Sequence, residues 1–239
     1  MLYKDSYRDK KAKILIEDCG EVMVEIPAVF PRFSPHPYQI LDAPYDDKSP
    51  FFIREDVLKL LGIAQKNLSL FKPGYKIKIF DAYRPIGVQK FMIEYDTQRV
   101  SQEIYQSTFD DLDNEKQLKV ERKISHFWSP ISEDIALNPP PHSTGSALDL
   151  TIVDESENEL EMGTKIDELT EASASDYFDG EVDTNIYKIN RKLLKDIMSE
   201  AGFTQLPTEW WHFSYGDQIW AVDKSVDNAE PLKAKYGMI

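Results

Sequence analysis

The chain has 239 residues, with 28 Lys and Arg against 42 Asp and Glu, which gives a formal net charge of −14 at pH 7. Its hydrophobic fraction of 41% and charged fraction of 29% are typical of a globular protein, so we exclude a disordered chain and predict a single domain over residues 1–239. Acidic charge without a basic cluster argues against a nucleic-acid partner, and no apolar run approaches the roughly 20 residues that cross a bilayer.

The first part of the chain predicts a hairpin followed by a helix. Apolar and polar side chains alternate at 13–17 and at 21–26, and Asp18-Cys19-Gly20 supplies a turn between these two strands. Over 55–71, apolar residues recur every three or four positions, which is the spacing of a helix with one buried face.

Four further elements are predicted along the rest of the chain. Alternation predicts strands at 75–81 and 147–153, and Pro85 is well placed to begin a helix. A last helix is predicted over 186–201, with Gly202 as its C-terminal cap. The predicted buried positions of the two helices are Val88, Phe91, Met92 and Tyr95 in the first, and Ile189, Leu193, Ile197 and Ala201 in the second.

Helices and strands come in blocks rather than in a regular βαβ order. This favours an α+β fold with a mostly antiparallel sheet flanked by helices. Two polar segments, 107–123 and 154–183, are predicted to be surface insertions on that domain. The second contains 12 acidic residues and one basic residue, and such a charge run is usually a solvated loop.

Several enzyme classes lack their usual signatures in this sequence. None of the ten glycines lies two residues from another, so the dinucleotide fingerprint and the phosphate-binding loop are absent, and there is no Gly-x-Ser-x-Gly elbow. Cys19 is the single cysteine, which excludes an internal disulfide and a multi-cysteine metal site. The first 13 residues lack the apolar region of a signal peptide, so a cytoplasmic location is expected.

Two of the four histidines lie close to acids in the sequence. His142 precedes a turn at Gly145 that leads into the strand carrying Asp149, and His212 closes the segment Glu209-Trp210-Trp211-His212. Imidazole nitrogens and a carboxylate oxygen are good zinc ligands, and three protein ligands are typical of a catalytic zinc site. His142, Asp149 and His212 can supply these three ligands, although a lone His near a strand end is more often structural.

Glu209 is predicted to act beside the metal rather than on it. A carboxylate near a metal-activated water can take its proton as the water attacks a carbonyl. Because residues i and i+3 face opposite ways on a regular strand, Glu209 must lie at a bend before the strand of His212 begins.

Arg84 is the third feature, in Asp81-Ala82-Tyr83-Arg84-Pro85. An Arg placed where a strand gives way to a helix can offer fixed donors to the oxyanion that develops in peptide hydrolysis. The alternative is that Arg84 forms a surface ion pair with Asp81.

These motifs together resemble a known enzyme family. Asp-Ala-Tyr-Arg-Pro at 81–85, His-Ser-Thr-Gly-Ser-Ala-Leu-Asp at 142–149 and Glu-Trp-Trp-His at 209–212 resemble the VanX-like D-alanyl-D-alanine dipeptidases. Those zinc peptidases are related to D,D-carboxypeptidases and to the Hedgehog signalling domain. The resemblance covers about residues 75–215.

The resemblance implies one zinc ion per chain and D-Ala-D-Ala or a close dipeptide as substrate. It implies these roles: His142, Asp149 and His212 as zinc ligands, Glu209 as catalytic base, Arg84 as stabiliser of the transition state, and Asp167 as the acid that binds the substrate's amino group. Pro140 departs from the family, whose members commonly carry Ser two residues before the first ligand, so any substrate contact of that hydroxyl is lost.

Other readings stay open from the sequence. A D,D-carboxypeptidase or endopeptidase acting on longer cell-wall peptides is one, and a non-catalytic zinc-binding domain is another. His36 is predicted to be at most a wall of the cleft, and His126 to take part in packing. Trp210 and Trp211 are predicted to be core residues that support the site. The sequence contains no heptad pattern, and it does not indicate the oligomeric state.

Overall fold

The fold is described from a computed structural model, which covers residues 7, 9–131, 133–226 and 231–239. The strands are β1 Met23–Glu25, β2 Phe52–Arg54, β3 Lys76–Asp81, β4 Ala147–Val153, β5 Thr204–Gln205 and β6 His212–Ser214. The α-helices are α1 Pro37–Ile40, α2 Glu55–Phe71, α3 Ile86–Tyr105, α4 Asn114–Phe127, α5 Ile186–Glu200 and α6 Gln218–Lys224. Short 3₁₀ turns span Phe109–Asp111, Pro141–Thr144 and Glu171–Ser173.

The main sheet has four strands in the order β3-β4-β6-β5, and every neighbouring pair is antiparallel. A separate two-stranded antiparallel sheet joins β1 to β2. The predicted α+β fold with a mostly antiparallel sheet and flanking helices is confirmed.

Alternating side chains of β4 separate the hydrophobic core from the polar face of the sheet. Leu148, Leu150 and Ile152 are fully buried against α2 and α5. The intervening residues Asp149 and Thr151 point to the opposite face, because successive side chains of a strand alternate. On that side a second cluster is built from α3, α4 and the aromatic residues Tyr38, Phe80 and Trp128. The sheet thus lies between two helical layers.

Most of the predicted regular elements are confirmed. The helix predicted over 55–71 is α2, with the same bounds, and its buried residues are spaced by three or four positions. Pro85 is the N-cap residue of α3. Gly202 follows α5 with a φ of 107°, a conformation that glycine adopts without the steric cost of a Cβ.

The hairpin predicted at 13–17 and 21–26 is wrong. Residue Ile16 makes only an isolated parallel bridge with Ala234, and β1 pairs instead with β2, which the sequence did not predict. Alternation over four or five residues shows that a segment is extended but does not identify its partner. Here Ile16 pairs with Ala234 near the other end of the chain, and β1 pairs with β2, which lies 27 to 31 residues further along.

The predicted buried faces of two helices are partly wrong. In α5, Ile189 is 45% exposed, and Asn190 and Arg191 are buried in its place because they donate hydrogen bonds to the carbonyls of Glu161 and Met162. In α3, Val88 and Met92 are buried and Phe91 packs against them, whereas Tyr95 is exposed.

The two polar segments differ in structure. Within 107–123, where only a surface insertion was predicted, α4 begins at Asn114 and packs on α3 through Val120 and Ile124. Asp113 caps α4 by accepting a hydrogen bond from the amide of Lys116. Segment 154–183 is mostly loop, as expected, but it is not solvated throughout, because Met162, Leu169 and Ser173 are buried. None of the helices that the structure describes is long and apolar enough to span a membrane.

Candidate active site

The antiparallel register places three polar residues side by side on one face of the main sheet. Asp81 of β3 lies opposite Asp149 of β4, which in turn lies opposite His212 of β6. Cross-strand partners project to the same face, so the three side chains converge. A register shift in β3 between Ile79 and Asp81 re-aims the end of that strand at this point.

His142 reaches the same place from the 3₁₀ turn Pro141–Thr144 that precedes β4. Gly145 ends this turn with a φ of 72°, a left-handed conformation that glycine adopts without the steric cost of a Cβ. His142 Nδ1 donates a hydrogen bond of 2.7 Å to the carbonyl of Ala82, because a carbonyl can only accept. This fixes the ring, and in the neutral form of the imidazole Nε2 then carries the lone pair.

The ligand groups of His142, Asp149 and His212 form a triangle, in which one ligand atom from each residue lies within 4.8 Å of the other two. His142 Nε2 lies 3.1 Å from His212 Nδ1 and 3.2 Å from an oxygen of Asp149, and the other oxygen of Asp149 lies 3.1 Å from His212 Nδ1. Atoms bound tetrahedrally to zinc at about 2.0–2.1 Å are about 3.3–3.4 Å apart. The three groups therefore fit a metal ion, and all three are buried.

The electrostatics of the triangle keep the aspartate ionised. Burial alone would raise the pKa of Asp149, but hydrogen bonds from His142 and His212, and the positive charge of these rings when they are protonated, hold it well below its ordinary value. An ionised carboxylate and a neutral imidazole are the protonation states that bind a metal cation.

Glu209 lies at a bend beside this triangle. The amide of His212 donates to the carbonyl of Glu209 across a turn, and β6 begins only at His212, as the sequence requires. One carboxylate oxygen of Glu209 is 3.9 Å from His212 Nδ1, and the residue is 7% exposed. Its carboxylate therefore faces the site without belonging to the triangle.

Arg84 is buried and has several partners. Its Nε donates to Asp81, one terminal nitrogen donates to Gln89, and the other donates to Asp149 and to the hydroxyl of Tyr38. The pair with Asp81 that the sequence offered as the alternative exists, but it is buried rather than on the surface. Arg84 thereby connects Asp81, at the end of β3, to the candidate metal ligand Asp149.

His36, which the sequence predicted as at most a wall of the cleft, belongs to the support of Arg84. His36 Nε2 lies 3.4 Å from Asp81, and the hydroxyl of Tyr45 donates to the same carboxylate oxygen. Burial would raise the pKa of Asp81, but Arg84, His36 and His142 hold it below the ordinary value. No local motif in the sequence linked residues 36–45 to the site.

Asp167 lies in the segment that follows β4 and accepts a hydrogen bond from Tyr38. The hydroxyl of Tyr38 donates to Asp167 and accepts from Arg84, so one side chain connects the acid to the guanidinium. Burial and the nearby charge of Asp149 raise the pKa of Asp167 to about 8, although Arg84 and Tyr38 act in the opposite direction. A carboxyl in this state is suited to a cationic partner, which would lower its pKa again.

Arg191 of α5 holds the loop that carries Asp167. Its guanidinium donates to the carbonyls of Met162, Ala172 and Ala174 at 2.7, 2.8 and 2.8 Å. It also lies over the ring of Trp210, 5.5 Å from the centroid. The loop is thus tied to the core by one buried cation.

We expect Arg191→Met to lower stability by about 3 kcal/mol, because three buried carbonyls lose a charged donor. For a chain of this size that is a decrease in Tm of about 6–12 °C. Thermal unfolding followed by circular dichroism measures it. Lys192→Met is the matched control, since Lys192 is the next residue and bonds only on the surface. A decrease below about 2 °C in Arg191→Met would contradict the anchoring role.

The cavity in front of the triangle has a volume of about 90 Å³. Arg84, Asp167, Glu209 and the three triangle residues all line it, and so does Pro140. Trp210 and Trp211 are buried in the main core, as predicted. His126 is exposed and contacts Phe127 edge to face. Every site residue predicted from the sequence is therefore brought to one cavity.

The chain is similar to a known protein family and to several known proteins. The peptidase M15 family, described as D-ala-D-ala dipeptidase, matches residues 32–230. A D-alanyl-D-alanine dipeptidase of Synechocystis sp. is 38% identical over 93% of this chain and 93% of its own length. A D-alanyl-D-alanine dipeptidase of Enterococcus faecium is 27% identical over 61% of this chain and 64% of its own length.

A solved structure of the LdcB LD-carboxypeptidase superposes with a TM-score of 0.43 at 20% identity, over 91% of this chain and 77% of that one. The family match spans residues 32–230, and the relative from Synechocystis sp. is matched over 93% of both chains. The chain belongs to the M15 peptidase family and is a hydrolase.

Proposed function

We propose that the protein is a zinc-dependent dipeptidase that hydrolyses D-Ala-D-Ala or a close dipeptide. The observation that carries the proposal is the buried triangle of His142, Asp149 and His212 with Glu209 beside it, in a chain of this family. Two imidazoles and one carboxylate are a donor set that zinc favours, and three protein ligands are typical of catalytic zinc sites.

The chain's own residues have distinct parts in the proposed reaction. When bound, zinc supplies a Lewis acid that polarises the scissile carbonyl and lowers the pKa of water. Glu209 accepts the proton of the attacking water and passes it to the nitrogen of the leaving D-alanine as the peptide bond breaks. One water is consumed and two molecules of D-alanine are released.

Arg84 and Asp167 are proposed to act on the substrate. Arg84 offers guanidinium N–H groups to the oxygen that gains negative charge, and its contacts with Asp81 and Asp149 hold it in place beforehand. Asp167 pairs with the ammonium of the dipeptide, which needs a partner when it is enclosed. Both residues line the cavity.

Release of D-alanine from D-Ala-D-Ala tests the proposal. Protein stripped with a chelator should be inactive, and one equivalent of zinc per chain should restore turnover. L-Ala-L-Ala and a pentapeptide ending in D-Ala-D-Ala serve as comparison substrates. Faster cleavage of the pentapeptide would favour a carboxypeptidase, and stoichiometric zinc binding without cleavage of any of them would favour a non-catalytic domain.

A further inference from the structure

Lys11 is a buried cation on the wall of the active-site cavity. It lies in the helical segment 9–11 and is only 9% exposed. Its Nζ donates a hydrogen bond of 3.0 Å to the carbonyl of Pro139, three residues before His142. Lys11 and His142 line the same cavity.

The charges around the cavity are of two kinds. Its acidic groups are the carboxyl groups of Asp149, Asp167 and Glu209. Among the described lining residues, the Lys and Arg side chains are those of Lys11 and Arg84. The guanidinium of Arg84 already donates to two aspartates, to Gln89 and to Tyr38. Arg84 is thereby part of the network behind the triangle, and Lys11 is the second cation of the described cavity wall.

A free dipeptide carries a charge at each end. Enclosing an ammonium or a carboxylate without an opposite charge is strongly unfavourable, so a cavity that takes the whole molecule needs a partner for both ends. Asp167 is proposed above for the ammonium. The carboxylate has no such partner in Pro140, which has neither a hydroxyl nor a backbone N–H.

We propose that Lys11 Nζ binds the C-terminal carboxylate of the substrate and makes the enzyme selective for dipeptides with a free carboxylate. This inference rests on the proposed dipeptidase function. An ammonium has three N–H donors, so it can bond to Pro139 and to a carboxylate together. The alternative is that Lys11 is purely structural. It would then hold the segment around Pro139 through its hydrogen bond and stabilise the ionised form of the buried Asp217 by its positive charge.

The test compares D-Ala-D-Ala with its C-terminal amide, which lacks the negative charge. In Lys11→Met the KM for D-Ala-D-Ala should rise about 10- to 100-fold with little change in kcat, because the lost contact is made in ground state and transition state alike. Hydrolysis of the amide should be nearly unaffected. The preference for the free acid, as the ratio of the two kcat/KM values, should fall by a similar factor.

Two further variants separate recognition from folding. Lys11→Arg keeps the positive charge and should retain most of the preference for the acid. Lys10→Met changes the adjacent exposed lysine and should behave as wild type. Zinc content and thermal unfolding show whether each variant is folded. If the amide is cleaved too slowly to measure, its inhibition constant against D-Ala-D-Ala takes the place of its KM.

The outcomes distinguish this inference from the proposed function. A fall of less than about threefold in the preference for the acid overturns the role of Lys11, whether both substrates are unaffected or both decline equally. Equal decline is what a structural lysine would give. A zinc-loaded wild type that cleaves neither substrate would overturn the proposed function itself, and the role of Lys11 with it.

Discussion

Glu209→Gln should bind one zinc ion per chain and yet release D-alanine from D-Ala-D-Ala about 10²- to 10⁴-fold more slowly than wild type. The amide has the size of the carboxylate but cannot take a proton from water. Because Glu209 lies outside the triangle, with a carboxylate oxygen 3.9 Å from His212 Nδ1, metal binding should be retained. The loss should appear in kcat, since proton transfer belongs to the chemical step.

Metal content by atomic absorption and initial rates of D-alanine release measure the two parts of this result. Glu181→Gln is the control, because Glu181 is an exposed acid of segment 154–183 that does not line the cavity. A Glu209→Gln enzyme with a near-normal kcat would remove Glu209 from the role of base. Loss of zinc in that variant would instead make Glu209 part of the metal site.

The three residues of the triangle could be predicted because their chemistry is local in sequence. His142 and Asp149 lie seven positions apart on a turn and the strand that follows it, and His212 begins the neighbouring strand. Residue type and the start of a strand are both visible in the sequence. The bend at Glu209 followed from the same reasoning, because a regular strand would have turned its side chain away.

The support behind Arg84 could not be predicted, because it is made by residues distant in sequence. His36 and Tyr45 meet Asp81 only after the loop before β2 folds over β3. The same limit applies to Lys11, whose contact with Pro139 spans 128 positions. Polar residues in loops carry no periodic signal that would assign them a partner.

The errors in the helices also have a physical cause. Hydrophobic spacing predicted Ile189 as buried, but the loop 161–174 presents carbonyl groups to that side of α5, and these need donors. Asn190 and Arg191 supply the donors and turn inward, which leaves Ile189 at the surface. The spacing of apolar residues does not predict a buried helix face whose side chains must be polar because they bond to carbonyl groups of a neighbouring loop.

Asp149→Asn should weaken zinc binding more than 100-fold, because even outer partners of metal ligands typically contribute about 10- to 100-fold and this residue supplies a ligand atom. The amide is neutral and a poor zinc ligand, and the buried Arg84 next to it would no longer be balanced on that side. Competition with a zinc-binding dye measures the affinity, and Asp110→Asn, at an exposed acid away from the cavity, is the control.

Thermal unfolding gives a second readout that does not depend on turnover. Zinc at about 1,000 times its dissociation constant should stabilise the wild type by about 4 kcal/mol, which for a chain of this size raises Tm by about 8–16 °C. Asp149→Asn should show little of this increase at the same zinc concentration, whereas Asp110→Asn should show all of it. An equal increase in Asp149→Asn would mean that zinc binds elsewhere, and the triangle of His142, Asp149 and His212 would lose its assignment as the metal site.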